Sequence, residues 1–254
     1  MDNSTLYIIG NGFDLQHNLK SSYDEYHRYV KNNRSNVEDF LNQYFTLKVK
    51  KDKKSDNYWW SDFENDLASF HAKSFFYDHD NVSEGFMDQE HPQWSDFFGV
   101  EDEIIEESEK AYFEIRQSFW DWINEISETE IERKNMHFEK DAFFLSFNYT
   151  STIERIYNIP KVFHIHGYIG DNNEESIVFG HGKETSEGEI PELDENGESN
   201  RAPGSDAEAF SHSLFYQFQK PVKDIIDRNQ FFFDSLKYTE KVVVLRHSLN
   251  DIDM

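Results

Sequence analysis

The chain has 254 residues, of which 50 are acidic and 25 are basic, so its formal net charge is −25 at pH 7. This charge argues against a general DNA- or RNA-binding protein and against docking on anionic membranes, because both need clustered lysine and arginine. Aromatic residues make up 17% of the chain, which favours a folded protein, and the absence of cysteine excludes disulfides, cysteine nucleophiles and thiolate zinc sites.

No targeting or membrane segment is visible in the sequence. Residues 1–14 lack a basic region followed by a long apolar stretch, so we predict no secretory signal. No run of about 18 apolar residues occurs, so we also predict no membrane span. These patterns and the lack of cysteine predict a cytoplasmic protein.

The first predicted element is a short apolar strand at residues 6–9, which a glycine turn follows. Gly10 and Gly12 match the first two glycines of a dinucleotide-binding turn, but Leu15 occupies the third position, so the match is weak. An ordinary turn with Asp14 as the helix N-cap is an equal alternative. The charge of Asp14 would repel a pyrophosphate at this helix N-terminus and would suit ribose hydroxyls better.

Residues 23–140 are predicted to form a mainly helical insertion within one α/β domain that spans residues 1–254. Apolar residues at helical spacing indicate helices within 23–47 and over 104–126. The second of these helices is long and amphipathic, with an acidic outer face, so its pattern is explained by packing alone.

A lysine-rich run and an aromatic helix are predicted between those two regions. Residues 48–54 contain five lysines and no aromatic residue, which favours a solvated loop. Residues 58–70 carry large apolar side chains at helical spacing and are predicted to face the core. Glu64 lies between these apolar positions. A solvated glutamate on the helix flank is the simpler interpretation, and an inward, site-facing Glu64 is the alternative.

A strand–helix–strand unit at residues 142–167 organises the rest of the prediction. Residues 142–147 and 162–165 are apolar runs typical of buried strands, and the residues between them have helical spacing. The unit predicts two parallel strands joined by a crossover helix. Asn148 and His166 follow the two strands, so an amide and an imidazole should share the edge of the sheet where ligands bind.

The C-terminal part is predicted to add two strands, a loop and helices. A short strand is expected at residues 177–179, and a mobile loop at 184–198, where seven carboxylates occur without lysine or arginine. Helical spacing returns over 206–236, with a kink or break at Pro221. Residues 242–245 are β-branched and apolar, which predicts a buried strand without a covering helix behind it.

Histidines after several predicted strands raise the alternative of a metal site. His166, His181 and His247 lie on separate strands, and no spacing typical of a histidine–carboxylate metal site supports the idea. His164 is expected to point away from His166, because side chains alternate along a strand. We therefore predict that no metal is bound.

Five short motifs together resemble those of a known family. They are Gly10-Asn11-Gly12-Phe13-Asp14, Trp60-Ser61-Asp62-Phe63-Glu64, Ser146-Phe147-Asn148-Tyr149-Thr150, His164-Ile165-His166-Gly167 and His247-Ser248-Leu249. In this order they resemble the bacteriophage abortive-infection AbiH family over nearly the whole chain. That family is similar to the sirtuin-like NAD-consuming domains of bacterial antiphage defence. The resemblance implies an α/β fold with a sirtuin-like, Rossmann-type parallel sheet and helices on both faces.

The resemblance also implies a role for individual residues. Asn148 corresponds to the asparagine that orients the ribose and the attacking water, and His166 corresponds to the general base at the ribose. With a pKa near neutrality, His166 could accept the proton of that water without a metal. The residues that correspond to the cofactor-binding positions are Gly10, Asn11, Gly12, Phe13, Asp14, Gly167, His247 and Ser248.

Three departures from the sirtuin-like pattern bear on activity. Thr150 replaces an acidic residue, and Arg246 replaces the glycine expected before His247. The four-cysteine zinc module of protein deacetylases is absent, which disfavours deacetylation and favours NAD cleavage. The short C-terminus suggests a truncated chain.

The function implied is that of an antiphage abortive-infection effector that binds NAD and hydrolyses its nicotinamide–ribose bond. The alternative is a catalytically degenerate module that senses a nucleotide within a defence complex. The expected partners are NAD or a related nucleotide, a phage-derived trigger or defence protein, and a second copy of the chain, with no nucleic acid and no membrane.

Overall fold

A four-stranded parallel sheet lies at the centre of the computed structural model, which describes residues 5–79, 99–139, 141–200 and 205–248. The strands are β1 (Thr5–Ile9), β4 (Phe143–Ser146), β5 (Phe163–His164) and β6 (Lys241–Leu245). Their order across the sheet is β5-β4-β1-β6, and every neighbouring pair is parallel. A separate antiparallel hairpin consists of β2 (Val49–Lys51) and β3 (Tyr58–Trp60).

The helices follow the chain in several groups. The N-terminal helices are α1 (Asn11–Gln16), α2 (Tyr23–Asn33), α3 (Ser35–Tyr44), α4 (Phe63–Asp66), α5 (Ala72–His79) and α6 (Val100–Ser127). The later helices are α7 (Thr152–Tyr157), α8 (Ser205–Ser211), α9 (Ser213–Gln217), α10 (Val222–Arg228) and α11 (Gln230–Ser235). Short 3-10 turns occupy Leu67–Ser69, Ile169–Asp171, Glu174–Ser176 and Leu236–Tyr238.

Helices cover both faces of the sheet, and the α/β fold class is confirmed. On one face, Tyr7 and Phe144 pack with residues of α1 and α7 in a hydrophobic cluster. On the other face, Phe232 of α11 lies against Phe143 and Phe163, with ring centroids 6.3 and 4.3 Å away. Neighbouring residues of a strand point to opposite faces, which is why Phe143 and Phe144 reach different helices.

The predicted strand–helix–strand unit is present as β4, α7 and β5. Ser146 pairs with His164 in parallel register, and α7 ends at Asn158, which has a left-handed φ of 55°. Asparagine tolerates this conformation better than most residues, and Pro160 follows it closely. The short apolar runs therefore formed the strands that their composition predicted.

Helices α2 to α6 form the predicted helical insertion between β1 and β4, as far as the structure describes it; residues 80–98 and 140 lie outside the described residues. Helix α6 confirms the predicted long amphipathic helix, since every predicted inner position is buried. Those positions are Ile104, Ser108, Ala111, Ile115, Phe119, Trp122 and Ile126. All of them except Ser108 pack in a second, larger hydrophobic cluster together with Phe179, Phe215 and Phe218, so this cluster joins the insertion to the C-terminal part.

Two predicted elements differ in the structure, and a third agrees with the prediction. Residues 58–70 begin as strand β3 and continue through α4 and a 3-10 turn, because the lysine run and Tyr58–Trp60 pair as a hairpin. Residues 177–179 form no strand; they follow a 3-10 turn, although Ile177 and Phe179 are buried as predicted. The predicted break at Pro221 is confirmed, since Pro221 is the N-cap of α10.

Strand β6 forms as predicted, but it is not buried on both faces. It lies at the edge of the sheet, next to β1. Val243 and Leu245 pack against the cluster on the α1 side, whereas Val242 and Val244 are 56% and 42% exposed. Phe232 reaches the sheet over β4 and β5, at the opposite edge. Val242 and Val244 are exposed because Phe232 packs on this face of the sheet over β4 and β5 and not over β6.

The acidic segment at 184–198 is exposed over most of its length, and its backbone turns around Asp194. Asp194 Oδ1 accepts hydrogen bonds of 2.8 Å from the backbone N–H groups of Asn196 and Glu198. These donors lower the pKa of Asp194. The mobility of this segment stays a prediction.

Candidate functional site

A cavity of about 790 Å³ lies where the segments that follow β1, β4 and β6 meet the helical insertion. This is the carboxyl edge of the parallel sheet, where α/β proteins bind ligands. Its volume lies within the range of about 300–1,000 Å³ that is usual for small-molecule sites. The sheet side contributes Asn11, Gly12, Asp14, Asn148, Thr150, His166, Arg246, His247 and Ser248. The insertion contributes Tyr23, Arg28, Trp60, Glu64, Phe119 and Trp122, among others.

The glycine turn after β1 packs against the turn after β6. The backbone N–H of Gly12 donates to the carbonyl of Arg246 at 3.2 Å. A Cβ at Gly10 would lie 2.5 Å from His247 Cα, and a Cβ at Gly12 would lie 2.8 Å from the Arg246 carbonyl oxygen. The turn after β6 thus leaves no space for a side chain at either glycine, so their presence is explained without a ligand.

Arg246 stands in a conformation that suits glycine. Its φ is 57°, in the left-handed region, which costs a non-glycine residue about 1–2 kcal/mol. The backbone therefore keeps the geometry of the expected glycine turn. The arginine side chain is exposed and forms part of the cavity wall.

Asp14 and Asn148 form an incompletely hydrogen-bonded pair in the cavity wall. Asp14 is 1% exposed, and its Oδ2 accepts a 2.5 Å hydrogen bond from Thr150 Oγ1. Asn148 is 5% exposed. Among the described residues, no donor reaches Asp14 Oδ1 or Asn148 Oδ1, although both atoms are buried. Burial raises the pKa of Asp14, and the hydrogen bond from Thr150 and the nearby polar groups of Thr152 and Asn148 only partly oppose this.

The two histidines of β5 and its exit turn face different surroundings. His164 Nδ1 lies 3.0 Å from the Asn148 carbonyl, and its Nε2 lies 2.6 Å from Glu154 Oε1. His166 is 6% exposed and lines the cavity, with Phe147 and Tyr149 beside its ring. His164 therefore holds the segment after β4 in place, while His166 faces the site.

The ordinary pKa expected for His166 is wrong. Burial, with a smaller contribution from the nearby ammonium of Lys220, lowers the pKa of His166 to about 3, and Glu64 offsets this only in part. His166 is consequently neutral at physiological pH. A neutral imidazole can accept a hydrogen bond, but with this pKa it is a weak proton acceptor.

Glu64 faces inward, and it is fully hydrogen-bonded. Its Oε1 accepts from the hydroxyls of Tyr23 at 2.6 Å and Tyr149 at 3.2 Å. Its Oε2 lies 2.7 Å from Lys220 Nζ and accepts from the backbone N–H of Gly180 at 3.3 Å. Burial would raise the pKa of Glu64, but Lys220 and the other neighbours lower it overall. Glu64 is therefore a buried carboxylate that joins the insertion to three later segments.

The hairpin of β2 and β3 forms another part of the cavity wall. Residues 50–54, which include four lysines, line the cavity, as does Arg28 of α2. Trp60 of β3 anchors the hairpin on α2, since its ring stacks on His27 with centroids 4.0 Å apart. The lysines are exposed, as predicted, but Lys50 and Lys51 belong to strand β2 and not to a loop, and the run lies beside the cavity.

Metal ligands and membrane helices were sought among the same residues. In residues 5–79, 99–139, 141–200 and 205–248, no three histidine, aspartate or glutamate side chains lie together in a way that could hold a metal ion. Over the same part of the chain, no helix combines the length and the apolar character that a membrane crossing needs.

The sequence model of the family described as bacteriophage abortive infection AbiH matches residues 6–254. The chain belongs to the AbiH family. The family description supports a role in phage abortive infection. No curated protein and no solved structure matches the chain.

The residues that the AbiH resemblance singled out divide into two groups. Asn11, Gly12, Asp14, Asn148, His166, His247 and Ser248 are brought together at the cavity. Gly10, Phe13 and Gly167 do not line it. Phe13 is fully buried beside Tyr157 in the core of the sheet, because α1 turns this side chain inward. Gly167 has a φ of 72° and lies against the Ser176 carbonyl, so it is a glycine for local packing.

Several residues in or next to the cavity wall were missed in the sequence. Lys220 precedes Pro221 without any motif around it, and only the fold brings it to Glu64. Tyr23 and Tyr149 resemble core aromatics at helical or strand positions, and nothing in their spacing indicates that both hydroxyls reach one carboxylate. The lysine run was visible, but its position beside the cavity was not.

Proposed function

We propose that the cavity binds NAD or a related nucleotide and that the chain hydrolyses the nicotinamide–ribose bond as an abortive-infection effector. The observation that carries the proposal is the pair of buried acceptor oxygens, Asp14 Oδ1 and Asn148 Oδ1, which have no donor among the described residues. A buried acceptor without a donor costs about 1–3 kcal/mol. The two neighbouring hydroxyls of a ribose would supply both missing donors.

The chemistry requires little more than positioning. Departure of nicotinamide leaves positive charge on the ribose, and water attacks the same carbon. The Asn148 amide is neutral and can hold a hydroxyl or this water. His166 can accept a proton from the water, although its low pKa makes it a weak base. Asp14 has a raised pKa and is the stronger base of the two. We assign Asn148 and Asp14 to ribose binding and His166 to the water.

The test measures nicotinamide release, ligand affinity and melting temperature for Asn148→Ala and His166→Ala. We expect His166→Ala to lower turnover about 10²-fold, at the lower end for a positioned base, with affinity nearly intact. Asn148→Ala should weaken both turnover and affinity, because it removes a ribose contact. Unchanged turnover in His166→Ala, or a loss that only follows unfolding, would overturn the catalytic role of His166.

A second candidate function is a nucleotide-sensing module that binds without cleavage. Two observations favour it: the pKa of His166 is lowered to about 3, and Thr150 stands at the position of an acidic residue and bonds to Asp14. The same assay separates the two functions. Saturable binding of NAD with no nicotinamide released, in the protein alone and in infected cells, would favour the sensor.

A further inference from the structure

The hairpin of β2 and β3 presents lysine side chains to the cavity. Lys50, Lys53 and Lys54 line the cavity, and among the described residues none of the three is within ion-pair distance of a carboxylate. The other two lysines of the run are paired, Lys48 with Asp62 and Lys51 with Asp56. In a chain with twice as many acidic as basic residues, three unpaired lysines at one cavity stand out.

The hairpin is held firmly enough to present these lysines in one place. Arg28 lies 3.9 Å above the ring of Trp59 and pairs with Asp52 at 3.1 Å. Asp52 also accepts a 2.9 Å hydrogen bond from the backbone N–H of Lys54 within the turn. Asp52 is the one acidic residue of the run, and its contacts are with Arg28 and within the turn. It therefore does not compensate the side-chain charges of Lys50, Lys53 and Lys54.

The sheet side of the cavity cannot hold phosphate in the usual way. In dinucleotide sites, the pyrophosphate lies at a helix N-terminus after the glycine turn. Here that helix is α1, which has only six residues and carries the buried carboxyl of Asp14 in its first turn. Phosphate near Asp14 would meet a carboxyl group that repels it when ionised, whereas phosphate at the hairpin would meet three lysines.

We propose that Lys50, Lys53 and Lys54 form an anion-binding wall that holds the phosphate groups of the ligand. This inference rests on the proposed function in one respect, namely that the ribose of the same ligand lies at Asp14 and Asn148. The ligand class is then a ribonucleotide with a diphosphate or longer phosphate chain, with the phosphate bound by the hairpin and the ribose bound on the sheet side of the cavity. The wall binds through point charges, so its affinity falls as salt rises.

The experiment uses inorganic pyrophosphate as the probe and isothermal titration on the full chain. The test variant is Lys50→Gln/Lys53→Gln/Lys54→Gln. The matched control is Lys73→Gln/Lys110→Gln/Lys223→Gln, which removes the same charge from exposed lysines that do not line the cavity. We expect at least a tenfold loss of pyrophosphate affinity in the test variant and less than a twofold change in the control. No pyrophosphate binding to the unchanged protein, or equal affinity in the two variants, would overturn the inference.

A second titration distinguishes failure of the wall from failure of the proposed function. ADP-ribose is titrated into the unchanged protein, the hairpin variant and Asn148→Ala. Loss of affinity in the hairpin variant supports the wall, and loss in Asn148→Ala supports the ribose site. An ADP-ribose affinity that Asn148→Ala does not change, with pyrophosphate still lost in the hairpin variant, would reject the ribose site and keep the wall. Tighter binding of a single-stranded RNA than of pyrophosphate, lost in the same variant, would instead make the wall a nucleic-acid surface.

Discussion

Two buried carboxyl groups of the same cavity, Glu64 and Asp14, differ in how many hydrogen bonds they receive. Glu64 accepts from two tyrosine hydroxyls and a backbone N–H and pairs with Lys220, and its pKa is lowered. Asp14 accepts one hydrogen bond from Thr150, leaves one oxygen without a donor among the described residues, and has a raised pKa. Equal burial therefore does not imply an equal role.

The difference distinguishes a buried carboxyl group that stabilises the fold from one that can still accept a hydrogen bond from a ligand. A carboxylate whose acceptor positions are filled by the protein has little capacity left for a ligand, and its partners depend on it. A carboxyl group with an unfilled oxygen is costly to the folded protein and is retained where a ligand completes it. Glu64 is in the first class, and under the proposed function Asp14 is in the second.

The largest expected effect comes from removing the charge of Glu64. Glu64→Gln leaves the buried ammonium of Lys220 without this carboxylate, so we expect the free energy of unfolding to fall by about 3–5 kcal/mol. Urea unfolding at pH 7.5 measures it. The double variant Glu64→Gln/Lys220→Met removes both charges and should recover much of the loss. A single-variant loss below about 1 kcal/mol would contradict the structural role of Glu64.

The next effect concerns the pH dependence of stability that His166 contributes. Its pKa is about 3 in the folded protein against 6.5 for the ordinary group. Between these values the unfolded chain binds a proton that the folded protein does not, so the free energy of unfolding falls as the pH falls from 6.5 towards 3. The slope is at most about 1.4 kcal/mol per pH unit for one group.

The variant His166→Gln should reduce this slope, whatever it does to stability at pH 7.5. Urea midpoints of both proteins at several pH values between 7.5 and 4.5 give the comparison. Identical slopes in the two proteins would show that His166 titrates normally and is not buried beside Lys220.

The smallest effect on stability is expected at Asp14. Asp14→Asn removes a carboxyl whose ionised form is disfavoured by burial, so the melting temperature at pH 7.5 should be unchanged or higher. If Asp14 accepts a ribose hydroxyl, the affinity for ADP-ribose should fall at least tenfold, or about 1.4 kcal/mol. A variant that loses stability as Glu64→Gln does, with its ligand affinity intact, would place Asp14 in the structural class.

The sequence contained enough information for the sheet and for much of the site. Short apolar runs predicted β1, β4, β5 and β6, and a repeat of three and four residues predicted α6. Asn148 and His166 both reach the cavity because the carboxyl ends of parallel strands share an edge. These predictions depend on local periodicity and on one rule of topology.

The electrostatics of the site could not be predicted in this way. The ion pair of Glu64 with Lys220 joins residues far apart in the chain, and no local pattern indicates such a pairing. The pKa of His166 depends on burial and on that same lysine, so the assumption of an ordinary histidine was wrong. Strand β6 was expected to be buried because its residues are β-branched and apolar. Such residues occur in both core and edge strands, and only the packing of other elements on the sheet decides which of their side chains are exposed.

The position of β6 beside β1 has a consequence for how the protein is made. Thr5 pairs with Lys241, and the turn after β6 supplies Arg246, His247 and Ser248 to the cavity. During synthesis, which proceeds at about 5–20 residues per second, the first strand waits many seconds for this neighbour. This part of the cavity wall forms only after β6 and the turn that follows it have left the ribosome. A nascent AbiH chain therefore cannot form this cavity until β6 and its exit turn have been synthesised.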